Sequence, residues 1–148
     1  MVKDATAFIS LIKQKLILDD TGNAISESHD LLNTGRIEDA DGYGKISGVC
    51  GDTLEIWLKI ENDTITDARF MTDGCISTFL CGSAVTLLAK GEVFGDILKV
   101  SPADIIFLLK DIQGVEKHCA ILAVSTLYRA VADYILKCGG DLCFEIDH

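Results

Sequence analysis

Four of the six cysteines in this 148-residue chain lie at or near points where one predicted secondary-structure element gives way to the next. Cys50 follows a predicted strand, Cys75 directly precedes a predicted helix, and Cys119 opens another helix. Cys81 lies six residues beyond Cys75 in the same helix. The partial positive charge at a helix N-terminus favours the thiolate, so Cys75 and Cys119 are placed for metal binding or sulfur chemistry. We expect the junction cysteines to converge at one end of a compact domain.

Two residues beside these cysteines could complete a metal site. Asp52 adds a carboxylate two residues after Cys50, and His118 adds an imidazole directly before Cys119. Thiolates combined with one imidazole suit zinc or iron–sulfur centres. The candidate metal ligands are therefore Cys50, Asp52, Cys75, His118 and Cys119.

The spacing of these residues leaves structural alternatives open, because it is not the CxxC…CxxC pattern of a zinc ribbon. Asp52 could serve only as a turn former, and His118 could cap a helix or lie exposed. Cys81 could be a packing residue, since free cysteine is among the residue types most often buried. Cys138 and Cys143 flank a glycine pair after the last predicted helix, and we expect no metal role for them.

The composition limits the classes of function. The chain carries 13 basic and 23 acidic residues, for a net charge of −10, which argues against a nucleic-acid partner. No secretory signal and no apolar run of about 18 residues is evident, so we expect a cytoplasmic protein without a membrane span. Thiols stay reduced in the cytosol, which favours metal or thiol chemistry over disulfides.

The hydrophobic pattern predicts a small antiparallel sheet in the middle of the chain. Apolar residues alternate with mostly polar ones over residues 53–61, which indicates a strand with one face on the core. A turn at 62–63 leads into a second strand over residues 64–72, and a third is expected over residues 43–49.

Helical patterns flank this sheet on both sides. One covers residues 4–18, followed by a loop or short helix within residues 23–44, and another begins near residue 77. Ser101 and Pro102 mark a further helix start, and the last long helix is expected over residues 119–137. The prediction is a single α+β domain over residues 1–148, in which a small three-stranded antiparallel sheet packs against several helices.

Three parts of the chain resemble the U-type iron–sulfur cluster assembly scaffolds, the family of IscU and the N-terminal domain of NifU. They are residues 33–42 (NTGRIEDADG) with 48–52 (GVCGD), residues 65–70 (ITDARF) with 72–75 (TDGC), and residues 117–123 (KHCAILA) with 130–134. The resemblance covers about residues 30–137, which leaves residues 1–29 as an N-terminal helix and loop and residues 138–148 as a C-terminal extension. Three cysteine motifs in the same order make it specific.

The resemblance implies a scaffold rather than an enzyme: a protein that builds a transient cluster, most often [2Fe–2S], and transfers it to apo-proteins. It implies that Cys50, Cys75 and Cys119 are the cluster thiolates. It further implies that Asp52 is the labile carboxylate and that His118 is an adjacent ligand. Cys119 then accepts persulfide sulfur from a cysteine desulfurase, and zinc can occupy the same site.

The chain also departs from the family pattern. Residues 112–117 (IQGVEK) stand where IscU-type members carry a Leu-Pro-Pro-Val-Lys stretch read by a dedicated chaperone, so a chaperone partnership is not implied. Cys81 is an additional thiol relative to IscU-type members. The sequence leaves open the oligomeric state, including a homo-oligomer.

Two other functions remain as alternatives. A zinc-binding structural or interaction domain would use the same ligands permanently. An independent cysteine-dependent sulfurtransferase or other thiol enzyme is the weaker alternative. The phosphatase pattern HC-x5-R is not matched, because Ser125 stands where that pattern requires arginine.

Overall fold

The computed structural model describes residues 17–18, 24–26, 33–49, 51–110 and 115–137. Within these residues the chain forms five strands and four helices. The strands are β1 (Ile17–Leu18), β2 (Ala24–Ser26), β3 (Gly42–Ser47), β4 (Thr53–Glu61) and β5 (Thr64–Thr72). The helices are α1 (Ile76–Ala89), α2 (Phe94–Ile97), α3 (Pro102–Leu108) and α4 (Lys117–Lys137).

The central sheet has the strand order β3–β4–β5, and both pairings are antiparallel. Ser47 pairs with Thr53 at the end of the sheet where β4 begins. At the opposite end, β4 and β5 are joined by a two-residue turn in which Asn62 and Asp63 both have positive φ. Such turns match the right-handed twist of the flanking strands. The predicted three-stranded antiparallel sheet and the α+β class are confirmed.

The core lies between one face of this sheet and the helices α1 and α4. Leu54, Ile56 and Leu58 on β4 have no exposed surface and form the sheet side of the core. α1 is buried on nearly all sides because it contacts β5, α3 and α4. Its Phe79 packs against Phe70 of β5, with ring centroids 5.4 Å apart. The start of α1 is thereby held against the end of β5.

α4 packs closely on β3 because a glycine leaves no side chain between the two backbones. A Cβ atom at Gly44 would lie 2.6 Å from the carbonyl oxygen of Thr126, closer than van der Waals contact permits. The backbone N–H of Tyr43 donates to the Asp133 carboxylate at 3.0 Å. α4 has the length and hydropathy of a membrane span, but half of its most apolar window is buried inside the protein. Its packing on β3 and α1 accounts for these apolar residues as core residues.

The helix start predicted at Ser101 is confirmed. Pro102 occupies the first turn of α3, and the Asp104 carboxylate accepts a hydrogen bond from the backbone N–H of Ser101 at 2.9 Å. This reciprocal arrangement is a capping box, which satisfies backbone donors that the helix itself leaves without partners.

Several predicted boundaries are wrong, and backbone pairing explains two of them. Residues 17–18 form β1 rather than the end of a helix, because they pair with β2; residues 4–16 lie outside the described part of the chain. Residues 24–26 are likewise strand rather than loop or short helix, and β3 begins at Gly42, one residue before the predicted start. The third strand ends at Ser47 rather than at residue 49, and α4 begins at Lys117, two residues before Cys119.

Candidate metal and sulfur site

The candidate ligands lie where one end of the sheet meets two helices. Asp52 immediately precedes β4, Cys75 is the residue before α1, and Cys119 lies in the first turn of α4. β4 begins beside the end of β5, since Leu54 pairs with Thr72. The fold therefore brings side chains from three distant parts of the sequence to one edge of the domain.

Asp52, Cys75 and Cys119 form one compact ligand group. A carboxylate oxygen and two sulfurs, one from each residue, lie within 4.8 Å of one another. The Cys75 thiol donates to the Asp52 carboxylate across 3.6 Å. Two soft sulfur donors with one harder oxygen donor suit zinc or iron. These three sequence-predicted ligands thus lie together, and their donor set fits a thiophilic metal.

Thr78, a buried threonine not predicted from the sequence, joins the members of this group. Its hydroxyl donates to the Asp52 carboxylate at 2.5 Å and lies 3.3 Å from the Cys119 sulfur. The same hydroxyl is 3.7 Å from the Cys75 sulfur. Its position three residues after Cys75, one helical turn along α1, is the signal that could have identified it. Thr78 therefore contacts Asp52, Cys75 and Cys119.

Asp52 is held in place by the backbone that leads into α1. The Cys75 backbone N–H lies 3.4 Å from a carboxylate oxygen of Asp52 and donates to it. A Cβ atom at Gly74 would lie 2.6 Å from the Asp52 carboxylate carbon. Glycine at position 74 leaves open the space that the Asp52 side chain occupies, so a larger residue would have to displace that side chain.

A second ligand group includes a residue absent from the sequence-based set. Glu116, His118 and Cys119 each offer one ligand atom, and these three atoms also lie within 4.8 Å of one another. The His118 Nε2 atom lies 3.9 Å from a Glu116 carboxylate oxygen. The signal for Glu116 is its place directly before α4, two residues from His118 in the sequence. The group supplies one oxygen, one nitrogen and one sulfur donor.

The described cysteines differ strongly in access to solvent. Cys75 is exposed, whereas Cys119 and Cys81 have no exposed surface. Burial raises the pKa of the Cys81 thiol, and the neighbouring Cys119 and Cys75 add to this shift. Cys81 belongs to neither ligand group and lies in the hydrophobic core. Its surroundings are those of a buried packing residue that stays a neutral thiol.

Three further cysteines, Cys50, Cys138 and Cys143, lie outside the described residues. The described residues on either side of Cys50 are linked by backbone hydrogen bonds. The Gly48 N–H donates to the Asp52 carbonyl oxygen at 2.7 Å, and the Gly51 N–H donates to the Gly48 carbonyl oxygen at 3.0 Å. The described backbone on either side of Cys50 is therefore tied to Asp52.

One protein-family model covers most of this sequence. Residues 21–139 match the family model of the NifU-like N-terminal domain. The chain is 37% identical over 108 residues to the iron–sulfur cluster assembly scaffold protein IscU 1 of Archaeoglobus fulgidus, with 72% of this chain and 71% of that protein covered. It is 38% identical over 105 residues to the nitrogen fixation protein NifU of Azotobacter chroococcum, covering 69% of this chain but 34% of that longer protein.

The fold has counterparts among solved structures. The N-terminal part of a nitrogen-fixing NifU-like protein from Brucella abortus superposes with a TM-score of 0.58. The superposition covers 71% of this chain and 86% of that chain at 13% sequence identity, so it supports the similarity of fold alone.

Proposed function

Because the chain belongs to the family of NifU-like N-terminal domains, we propose that it is an iron–sulfur cluster assembly scaffold. The observation that carries the proposal is the meeting of Asp52, Cys75 and Cys119 within 4.8 Å at one edge of the domain. Iron–sulfur clusters are held by cysteine thiolates, and two such thiols stand here beside a carboxylate. The cluster is the cargo of the protein, which acts as a carrier rather than as an enzyme.

The mixed donor set suits a cargo that must leave again. Cysteine sulfur is a soft ligand that binds iron–sulfur clusters well, whereas a carboxylate oxygen is a hard ligand and a weaker one in this setting. The Asp52 position is therefore the point at which a thiolate of a recipient protein replaces a scaffold ligand. Cys75, an exposed thiol, lies next to this exchange point.

The remaining roles follow the family pattern. Cys50 is the third thiolate of the cluster site, and His118 is an adjacent ligand. Cys119 accepts persulfide sulfur from a cysteine desulfurase, and the completed cluster, of the [2Fe–2S] type, passes to apo-proteins. The protein works in the cytosol, where its thiols stay reduced. Zinc, which takes the same sulfur, nitrogen and oxygen ligands, can occupy the same site.

Anaerobic reconstitution tests the proposal directly. The reduced, metal-free protein is incubated with ferrous iron, cysteine and a cysteine desulfurase. A visible-absorbing cluster with acid-labile sulfide should form. Cys75→Ser should lose the cluster faster than the unaltered protein during gel filtration. Cys81→Ala is the matched control, because it removes a thiol that belongs to neither ligand group.

A second outcome would support the structural alternative instead. That outcome is a protein purified with stoichiometric zinc that resists chelators and that forms no cluster on reconstitution. It would then be a zinc-stabilised structural or interaction domain built from the same residues. Elemental analysis of protein purified without oxygen separates the two cases.

A further inference from the structure

The Cys119 sulfur belongs to two ligand groups at once. It lies within 4.8 Å of ligand atoms of Asp52 and Cys75, and also within 4.8 Å of ligand atoms of Glu116 and His118. Cys119 is the residue that the two groups have in common among the described residues. A thiolate sulfur has several lone pairs and can bond two metal ions together.

The distances between the ligand atoms allow each group to bind a metal ion. Tetrahedral ligands at about 2.2 Å from a metal lie about 3.6 Å from one another. Ligand atoms that lie within 4.8 Å of one another therefore need to approach by about 1.2 Å at most. Two ions bound to one sulfur at about 2.3 Å each would lie no more than about 4.6 Å apart. The two groups thus describe a pair of adjacent metal positions.

Glu116 combines a fixed backbone with a movable carboxylate. Its N–H donates to the Ser77 hydroxyl at 2.8 Å, and its carbonyl oxygen accepts from the N–H of Cys119 at 3.1 Å. These bonds tie the residue to the starts of both α1 and α4. Its side chain, however, is 58% exposed and can turn toward an ion beside His118. A carboxylate at this place also interacts favourably with the N-terminus of α4.

We infer that Glu116, His118 and Cys119 form a second divalent metal position, which shares the Cys119 sulfur with the position formed by Asp52 and Cys75. Four anionic ligands, Asp52, Cys75, Cys119 and Glu116, balance the four positive charges of two divalent ions, while His118 binds as the neutral imidazole. Cys75 and Cys119 each release a thiol proton to solvent as their metal–sulfur bonds form. No electron is transferred in this step.

This inference rests on the proposed function. In a scaffold, the two metal positions would hold two neighbouring irons before sulfide is delivered. A scaffold that assembles a two-iron cluster must hold both irons close together. The Glu116 carboxylate and the His118 imidazole are harder ligands than sulfur. The second position therefore has a harder ligand set than the first, which favours ferrous iron there over softer metal ions.

Cobalt(II) is the probe, because thiolate-bound Co²⁺ has visible and ultraviolet charge-transfer bands and an electron paramagnetic resonance signal. The reduced, zinc-free full-length protein is titrated with Co²⁺ without oxygen. We expect two Co²⁺ per chain, with the resonance intensity per cobalt falling during the second equivalent as the shared sulfur couples the two spins. Glu116→Gln should bind one Co²⁺ and keep the uncoupled signal.

Glu61→Gln is the matched control, since Glu61 is an exposed glutamate at the opposite end of β4. It should bind two Co²⁺ as the unaltered protein does. Binding of one Co²⁺ by the unaltered protein, or of two coupled ions by Glu116→Gln, would overturn the inference. So would loss of the second ion in Cys50→Ser but not in Glu116→Gln.

The cobalt result and the reconstitution result can disagree, which keeps the two proposals separable. If the protein binds two coupled cobalt ions but never forms a cluster with sulfide, the second metal position is supported and the scaffold function is contradicted. If the protein forms a cluster normally but binds one cobalt ion, the scaffold function is supported and the second metal position is contradicted.

Discussion

The Thr78 hydroxyl donates a hydrogen bond to the Asp52 carboxylate at 2.5 Å, and the same oxygen lies 3.3 Å from the Cys119 sulfur. An ion that bonds both Asp52 and Cys119 competes with these contacts. Thr78 has no exposed surface, so water does not readily replace its hydroxyl. The threonine thus stabilises the site when metal is absent, and its contribution should depend on occupancy.

Thr78→Val should therefore destabilise the metal-free protein by about 1.5–3 kcal/mol, the usual contribution of a hydrogen bond to a charged group. The Co²⁺-bound proteins should unfold at nearly the same denaturant concentration with and without the substitution. Urea denaturation in both states measures the difference. Equal destabilisation of both states would mean that the hydroxyl keeps its bonds when the ion is present.

Two controls accompany this measurement. Thr78→Ser keeps the hydroxyl and should restore most of the stability of the metal-free protein. Thr126→Val removes a buried hydroxyl of α4 that donates to the Leu122 carbonyl oxygen, at a distance of 2.7 Å. Its effect should be the same with and without metal, because the residue belongs to neither ligand group.

Gly74→Ala should displace the Asp52 carboxylate, because the new Cβ atom would lie 2.6 Å from the Asp52 carboxylate carbon. We expect the Co²⁺ affinity to fall at least about tenfold, equivalent to about 1.4 kcal/mol. Competition with a coloured chelator measures this affinity. Gly95→Ala is the control, since a Cβ atom at that position meets nothing within 4 Å. Unchanged affinity in Gly74→Ala would show that the placement of Asp52 is not needed for binding.

Asp52→Ala should lengthen the lifetime of a bound cluster. The carboxylate is the hard ligand that a recipient thiolate replaces most easily, and its removal takes away that point of exchange. The decay of the visible absorption in the presence of a chelator or an apo-protein measures the lifetime. Asp73→Ala is the neighbouring control, because the Asp73 carboxylate accepts from the Thr53 N–H at 2.9 Å and belongs to neither group. Faster cluster loss in Asp52→Ala would contradict this role for the carboxylate.

The thiols should react with iodoacetamide in the order of their exposure. In the metal-free protein, Cys75 should be modified first and Cys81 last, because Cys75 is exposed while Cys81 is buried. Burial raises the pKa of the Cys81 thiol, so a change from neutral to mildly alkaline pH should not accelerate its reaction. Peptide mass spectrometry follows each site, and unfolded protein provides the control in which all thiols react. Early modification of Cys81 would show that the core opens.

The contribution of Tyr43 to stability should be lost over a defined alkaline range. Burial and the hydrogen bond that its hydroxyl donates to Glu55 raise the pKa of Tyr43 to about 12, from 10.0. Because the folded-state value is the higher one, this contribution is complete below pH 10 and is lost as the pH rises through about 12. Denaturation midpoints measured between these limits should fall more steeply for the unaltered protein than for Tyr43→Phe. Parallel pH profiles would show that Tyr43 ionises normally.

Much of this architecture could be predicted from the sequence because its signals are local. Alternation over Thr53–Glu61 defined the first strand of the hairpin, and the turn at residues 62–63 placed the second over Thr64–Thr72, both at the observed bounds. The Ser101, Pro102 and Asp104 pattern marked the start of a helix from neighbouring residues alone. β1 was missed because a two-residue strand exists only through its pairing with β2, and no periodicity can be read from so short a segment.

The residue types at the site were likewise evident before their positions were known. Cysteines at element junctions, a nearby aspartate and a histidine next to Cys119 indicated a thiophilic metal site, and three cysteine motifs in order indicated the family. These features are properties of short segments. They determined the class of fold and the class of chemistry.

Only the tertiary structure decided which atoms meet. Thr78 and Glu116 enter the site because β4, α1 and α4 begin at the same edge of the domain, and no local pattern reports such a meeting. The burial of Cys119 and the exposure of Cys75 also depend on packing between elements that are far apart in sequence. A side chain's neighbours across the fold set its access and its hydrogen bonds, which is why the ligand types could be predicted and their division into two groups could not.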